Sequence, residues 1–442
     1  MQQTESNSLQ RHITGFGLYI FIVGDTLGAG IYALVGIMIE RSGGAVWIPL
    51  LCALCVALLT ATSYGELVSK YPSAAGVSGF VQRAFKNDWL TFIIGFILVC
   101  STISCAASLI SAFSGRYLQE IVVLEHHVVI PAVLVLIAFF TITCIDYLEK
   151  ANFVMLSIKV LGLSIIVALA IVVLCKGEGN PEQLMSWRTD DAPISVLLSS
   201  TAVAIFAFMG FEGSASMADE IQDVRRNYPW ALVAGLLSVG LMYIVFASCV
   251  TSVLPVDTVG NSDGPLLEIL SMSKTTLSSS LFSFIALIAV LNAATLSIIM
   301  ASRMIFGLSQ QGRLPAIIAQ KVNRHGSPWL ALVITCAVVY VMCLTADLKI
   351  IVETVVILVL LVFIIVNFCC ILMREEKVAE QVFFAKPWMA PCAIAGSLLL
   401  LFQQQGQTFA RAGIMIAIGC FINLAMVKFS QNKNGIEVEL SG

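Results

Sequence analysis

The apolar segment running from about Thr14 to Ile39 is interrupted in its middle by Gly24-Asp-Thr-Leu-Gly-Ala-Gly30, a cluster of helix breakers that bilayer-spanning helices rarely carry. In hydrocarbon every backbone N–H and C=O needs a partner, so a span unwinds only where protein or a polar cavity supplies one. A break at this depth therefore predicts a ligand, or a closely packed neighbour. Gly24-x-x-x-Gly28 also fits the second case, a small-residue surface for helix packing. On this segment alone the two readings stand level.

The remaining sequence makes the membrane setting clear. Of 442 residues 59% are hydrophobic and only 12% charged, against about 25% charged in soluble proteins. A span needs about 20 apolar residues. Twelve such windows occur, at about 14–40, 43–69, 88–116, 127–146, 151–175, 193–218, 228–254, 276–308, 328–346, 349–373, 387–405 and 411–429. The last two are the least sharply separated, because Gln403-Gln-Gln405 and Arg411 crowd the turn between them. The expected fold is an all-α membrane protein of about twelve transmembrane helices, forming one domain over 1–442.

Positive charge resists translocation and so orients the spans. With the N-terminus inside, sixteen of the 24 Lys and Arg residues fall on cytoplasmic segments, seven fall outside, and Lys159 lies within a span. Both termini are expected in the cytoplasm, as in a multi-pass protein of a bacterial inner membrane. No cleavable signal peptide is expected, because the first apolar run is long and follows a polar stretch. The net charge of −3 is spread without basic runs, which speaks against a nucleic-acid partner. Cys52, Cys55, Cys100, Cys105, Cys369, Cys370 and Cys420 sit inside spans, where a thiol behaves as a small apolar group. Only Cys175 and Cys249 lie toward the outer face. No disulfide framework, metal or cofactor is expected.

If the second half repeats the first after five spans, the sixth span should be broken where the first is. It contains Phe206-Ala-Phe-Met-Gly-Phe-Glu-Gly-Ser214, in which Gly210 and Gly213 bracket the carboxylate of Glu212. Interruptions at corresponding places in two halves point to a transporter's midplane site. An odd repeat of five spans gives the halves opposite orientations. The expectation is an inverted pair, 14–175 and 193–373, with spans one and six broken and two accessory C-terminal helices over 387–429.

Leu27-Gly-Ala-Gly-Ile-Tyr resembles the opening motif of the amino acid-polyamine-organocation superfamily, closest to its cationic amino acid transporter branch and proton-coupled bacterial relatives. Four further motifs agree in order and spacing. They are Ser63-Tyr-Gly-Glu-Leu67 with Tyr71-Pro72; Ala207-Phe-Met-Gly-Phe-Glu212 with Ala218-Asp-Glu220, Arg226 and Pro229; Ala301-Ser-Arg303 with Gly312-Arg-Leu-Pro315; and Gly326-Ser-Pro328. The family usually follows Asp219-Glu220 with Asn-Pro, where this chain has Asp223-Val224. It usually follows Pro72 with Gly-Gly and an aromatic, where this chain has Ala75-Gly76 and Ser78.

The resemblance implies how a zwitterionic amino acid would be held. N–H groups around Gly28, Ala29 and Gly30, at the start of the resumed helix, would face its carboxylate. Carbonyls at the end of the first half-helix, Val23 to Thr26 beside Leu27, and in the sixth span, Phe206, Ala207, Phe208 and Met209 before Gly210, would receive its ammonium. Phe206 occupies the place of an aromatic gate over the substrate, or is an ordinary core phenylalanine.

Lys159 lies too deep to snorkel and must face a cavity or partner. It either carries the coupling proton or stays charged and ties spans together. Asp25 reads a basic side chain, carries a proton, or pairs with Lys159 as a fixed bridge. Glu212 has a family precedent behind the sixth-span break, with functional and structural roles both open. Glu66, Asp219, Glu220 and Arg226 lie near the cytoplasmic ends of their spans, as inward-gate residues or as helix-end anchors. Asn292 bonds across to the first span or serves as helix–helix glue. Glu353 lies in an outer vestibule or at the interface. His12, His126, His127 and His325 fall in loops or flanks and receive no role.

The expected function is alternating-access, proton-coupled uptake of a cationic or small neutral amino acid. The partners would be that amino acid, protons and the lipid bilayer, with the chain a monomer or homodimer. An exchanger is the alternative, and a non-transporting amino acid sensor a lesser one. An enzyme is not expected, since no Ser/His/Asp constellation, metal-ligand spacing or phosphate loop is present.

Overall fold

The computed structural model describes residues 13–27, 30–73, 75–143, 148–188, 193–256, 265–272, 278–321, 328–376, 378 and 383–440. Among them the chain is helical throughout, with two isolated β-bridges, Ile13 to Ile221 and Gly43 to Trp187, and no strand. The first window is split into α1 (Gly15–Thr26) and α2 (Gly30–Ser42). Then come α3 (Trp47–Lys70), α4 (Gly76–Phe85), α5 (Asp88–Phe113), α6 (His126–Thr143), α7 (Leu148–Cys175) and α8 (Pro193–Ala207). The sixth window continues past its break as a 3₁₀ segment, Phe211–Glu220. The remainder is α9 (Val224–Val253), α10 (Pro265–Met272), α11 (Ser279–Gln310), α12 (Trp329–Thr345), α13 (Leu348–Leu372), α14 (Met389–Leu401) and α15 (Gly406–Leu440).

Nine described helical segments are long and apolar enough to cross a membrane, and α1, α12 and α14 are shorter apolar helices. Each falls on one of the twelve windows. Several helical segments lie between the windows, two of them eight residues or longer. The first, α4, places Val77, Phe80 and Val81 on one buried face at helical spacing. The second is α10, inside the connection between the seventh and eighth windows.

Local signals set several ends. The Thr14 hydroxyl accepts from Gly17 N at 3.0 Å to cap α1. Asn87 caps α5 by accepting from Trp89 N and Leu90 N, with Asp88 in the first turn favouring the helix dipole.

Burial separates the mast of the molecule from its periphery. In α5, 83% of the apolar window is buried inside the protein, whereas α6 has 28% and α15 17%. Most of α6 and α15 is left at the surface of the described chain. The helix contacts come in matched sets, each turning into the other when every window is replaced by the one five places away. Contact of α1 with α9 corresponds to α8 with α3, α13 with α5 to α7 with α11, and α7 with α9 to α13 with α3. The pairs α3–α9, α5–α11, α6–α12 and α2–α8 map onto themselves. Outside these sets, α12 also packs on α5, α14 on α13 and α3, and α15 on α5 and α13.

Polar clasps fasten the two ends. At the end where α3, α11 and α13 finish, called here the basic end, Lys70 pairs with Glu66 at 2.8 Å, both side chains 1% exposed. The Lys70 ammonium also donates to the carbonyls of Met373 (3.1 Å) and Arg374 (3.2 Å), and Ala385 N donates to Glu66 at 3.0 Å. A buried amide links α13 to α3 nearby: Ser63 donates to Asn367 at 2.7 Å, and Asn367 donates to Thr60 at 3.1 Å. At the opposite end Arg41 on α2 pairs with Glu353 on α13, which also accepts from Thr408 of α15 at 3.0 Å.

Candidate functional site

The two helix breaks meet at the centre of the molecule. Helix α1 ends at Thr26 with Leu27 N donating to Val23 O at 2.7 Å, and the helix resumes at Gly30. Helix α8 ends at Ala207 and closes through two tight turns, Phe208 N to Ile205 O and Met209 N to Phe206 O. The chain then reverses at Gly210, whose φ of +114° L side chains rarely adopt. A Cβ there would lie 3.0 Å from Asp25 Oδ2 and 3.2 Å from the Asp25 carbonyl carbon. Glycine at 210 thus lets the second break approach the first.

Carbonyls released by the breaks have found donors from other helices. Lys159 Nζ, fully buried on α7, donates to Gly24 O at 3.1 Å. The Tyr243 hydroxyl on α9 donates to Thr26 O at 2.7 Å, and its ring packs on Phe208 with centroids 5.8 Å apart. Asp25 and Lys159 are near enough to interact electrostatically, as are Asp25 and Glu212. One oxygen of Glu212 accepts from Gly210 N at 2.9 Å, so this carboxylate braces the break directly.

A small cavity of about 40 Å³ opens between the breaks. Asp25, Thr26, Phe206, Met209 and Glu212 form one wall; α5 adds Thr102, Cys105 and Leu109, and α11 adds Ser297, Met300 and Met304. Among the described residues Asp25 Oδ2 and Thr26 Oγ1 are buried with no hydrogen-bond partner. Adjoining the cavity at Glu212, Gly213, Met300 and Met304 is a vestibule of about 630 Å³. It runs to the basic end between α4 (Gly76, Ser78), the 3₁₀ segment (Ser216, Glu220) and α11 (Arg303, Gln311). Phe206, Asp25 and Thr26 line the small cavity but not the vestibule, so they stand on its far side.

Most residues expected at the substrate site are brought together. Val23, Thr26, Leu27, Phe206, Ala207, Phe208 and Met209 are all buried around the breaks. Gly28 and Ala29 lie outside the described residues, as do His12 and His325. The gate candidates separate. Glu220 lines the vestibule, and its carbonyl accepts from Ile13 N at 3.0 Å. Asp219 is half-buried beside it on the 3₁₀ segment. Arg226 is exposed on another face, beside Trp230 and Phe383. Glu66 is held in the clasp with Lys70, and Glu353 is buried in the clasp with Arg41. Asn292 donates to Asn152 of α7 at 3.1 Å, one helix away from the first span.

At the rim of α4 the Tyr71 hydroxyl donates to Glu376 while the Arg83 guanidinium lies over its ring, 4.0 Å from the centroid. Burial, and then the bond to Glu376, push the Tyr71 hydroxyl up to about 12, so it remains a donor at neutral pH.

Sequence reasoning missed Thr102, Cys105, Leu109, Ser297, Met300, Met304 and Tyr243. The first three and the next three recur at helical spacing on one face of their spans. That spacing, read with the broken spans, was the available signal. Tyr243 carried none.

An all-helical, multi-span chain with two apposed helix breaks over a central cavity defines a membrane protein of the carrier type. It belongs to the amino acid permease family, which it matches over residues 13–412, and hence to the superfamily its motifs resemble. It is 24% identical over 349 residues to the branched-chain amino acid permease BcaP of Bacillus subtilis, covering 73% of this chain and 72% of that protein. Similarity to an uncharacterised transporter of Mycobacterium tuberculosis is 24% over 344 residues, covering 78% and 76%. Cationic amino acid transporter 9, chloroplastic, of Arabidopsis thaliana is 25% identical over 345 residues, covering 72% of this chain and 59% of that protein.

Proposed function

We propose that the chain is a secondary active amino acid transporter working by alternating access, with the substrate held between the two helix breaks. The observation that carries this is the apposition of Asp25 and Gly210, which joins two unwound segments around a cavity with unsatisfied polar atoms in its wall. Unwound backbone inside a membrane protein is tolerated where it lines such a cavity. The matched helix contacts support an inverted repeat of five plus five windows. If the basic end faces the cytoplasm, as charge asymmetry predicts, the vestibule belongs to an inward-open state and Phe206 covers the outward path. The names of the Bacillus and Arabidopsis relatives favour a branched-chain neutral or a cationic amino acid.

Lys159 is the candidate for proton coupling. It is fully buried, bonded to Gly24 O, and within electrostatic reach of Asp25. Loss of its proton takes the charge out of its bond to Gly24 O and ends its attraction to Asp25, so protonation and the shape of the substrate site are linked. Proteoliposomes loaded with the protein are expected to accumulate a labelled amino acid when an inward proton gradient is imposed. Lys159→Ala is expected to abolish the gradient dependence. Full gradient dependence in that variant would refute the coupling role.

A fixed Lys159 that only braces Gly24 would suit an exchanger, and its direct hydrogen bond favours that second reading. Flux that ignores the gradient and requires amino acid on the far side would establish it. Saturable binding without flux would identify a sensor.

A further inference from the structure

Five carbonyls near the breaks already accept hydrogen bonds: Val23 O from Leu27 N, Gly24 O from Lys159 Nζ, Thr26 O from the Tyr243 hydroxyl, Ile205 O from Phe208 N, and Phe206 O from Met209 N. Each keeps a second lone pair, but none carries formal charge and none is orphaned. Asp25 Oδ2 differs on both counts. It belongs to an acidic side chain, faces the central cavity, is shut off from solvent, and accepts no hydrogen bond among the described residues. An ionised carboxylate buried without donors is costly. The Thr26 hydroxyl beside it is unsatisfied as well, while Glu212 already accepts from the backbone of Gly210.

We propose that the Asp25 carboxylate, assisted by the Thr26 hydroxyl, is the anchor for an ammonium group of the substrate. The assignment rests on the reading of the central cavity as an amino acid site. Gly210 makes it feasible, because a Cβ at that position would crowd Oδ2 at 3.0 Å. The charges are compatible: Lys159 balances Asp25, and a zwitterionic amino acid adds no net charge. The single carboxylate then stands between two ammonium groups, one from the protein and one from the ligand. An α-ammonium and a side-chain ammonium offer the same chemistry.

The test uses the full chain in detergent, as wild type and Asp25→Asn, with ligand affinity read from thermal stabilisation. The probes are the twenty amino acids, then the best stabiliser with its deaminated acid and its decarboxylated amine, and lysine with cadaverine. Asp25→Asn is expected to weaken the amino acid and the amine by about 10- to 100-fold, the range for a charged hydrogen bond. The deaminated acid is expected to bind both proteins alike, which also shows that the variant is folded. Equal losses for neutral amino acids and lysine assign the α-ammonium; a loss confined to lysine and cadaverine assigns the side-chain ammonium. Either supports the anchor. If Asp25→Asn fails to fold, Asp25→Glu keeps the charge, displaces it by one methylene, and should show the same selective weakening. Affinity within twofold of wild type for every amine tested, cadaverine included, would overturn the anchor while leaving the amino acid site standing. A wild type stabilised by none of the twenty would remove the amino acid site and the anchor together.

Discussion

Tyr243 and Thr26 show how the site depends on single side chains that carry no motif. Once α1 stops, the Thr26 carbonyl lacks the amide four residues on, and the Tyr243 hydroxyl supplies the missing donor at 2.7 Å from another helix. The ring of the same tyrosine supports Phe208 in the second break. Tyr243→Phe keeps the ring contact and deletes only the donor. It is expected to lower unfolding free energy by about 1–3 kcal/mol, the cost of leaving a buried acceptor unpaired. It should also weaken substrate binding without changing which amino acids bind. Thermal unfolding and ligand-induced stabilisation check this, and an unchanged Tm with unchanged affinity would refute it. The glycines and Asp25 were legible because breakers and charge are conspicuous in an apolar run. Tyr243 was not, because its role exists only where α9 crosses α1.

Elements were legible to the extent that hydrophobic length defines them. All twelve windows appear as helices, and both breaks fall where glycine clusters predicted them. Interactions between elements were less visible. Glu66 suggested an inward gate or a helix-end anchor from its place at the end of α3; Lys70 four residues on is the spacing of a helical ion pair, and the structure buries both. The pair closes the end of α13 through Met373, Arg374 and Ala385. Lys70→Ala leaves Glu66 buried without its cation, and removing one partner of a buried pair costs about 3–5 kcal/mol. The combined replacement Glu66→Gln with Lys70→Met is expected to recover much of that loss, since it leaves no unpaired charge. Thermal unfolding of the single and double variants measures the coupling. Additive losses would show that the pair does not act as a unit.

For the whole molecule, the vestibule reaches the basic end while Arg41, Glu353 and Thr408 join α2, α13 and α15 at the other. If the proposed alternating access holds, the two ends open in turn, and a clasp formed while one is open must release before the other opens. Arg41 and Glu353 are 18% and 4% exposed in their side chains, a setting in which water screens the pair only weakly. Charge-assisted hydrogen bonds contribute about 1.5–3 kcal/mol, enough to move a two-state equilibrium by roughly tenfold or more. Glu353→Gln keeps the size and a bond to Thr408 but removes the charge that holds α2. It is expected to shift the population toward opening at the end away from the vestibule. Ser78 lines the vestibule, so Ser78→Cys in a background lacking the thirteen native cysteines reports on this directly. Its reaction with a membrane-impermeant maleimide should slow several-fold when Glu353→Gln is added, and recover when an added substrate favours the original state. An unchanged rate would mean that the clasp stabilises α2 in both states. The bias between them would then lie at the other end, with Tyr71, Arg83 and Glu376, which join α3 and α4 to the end of α13.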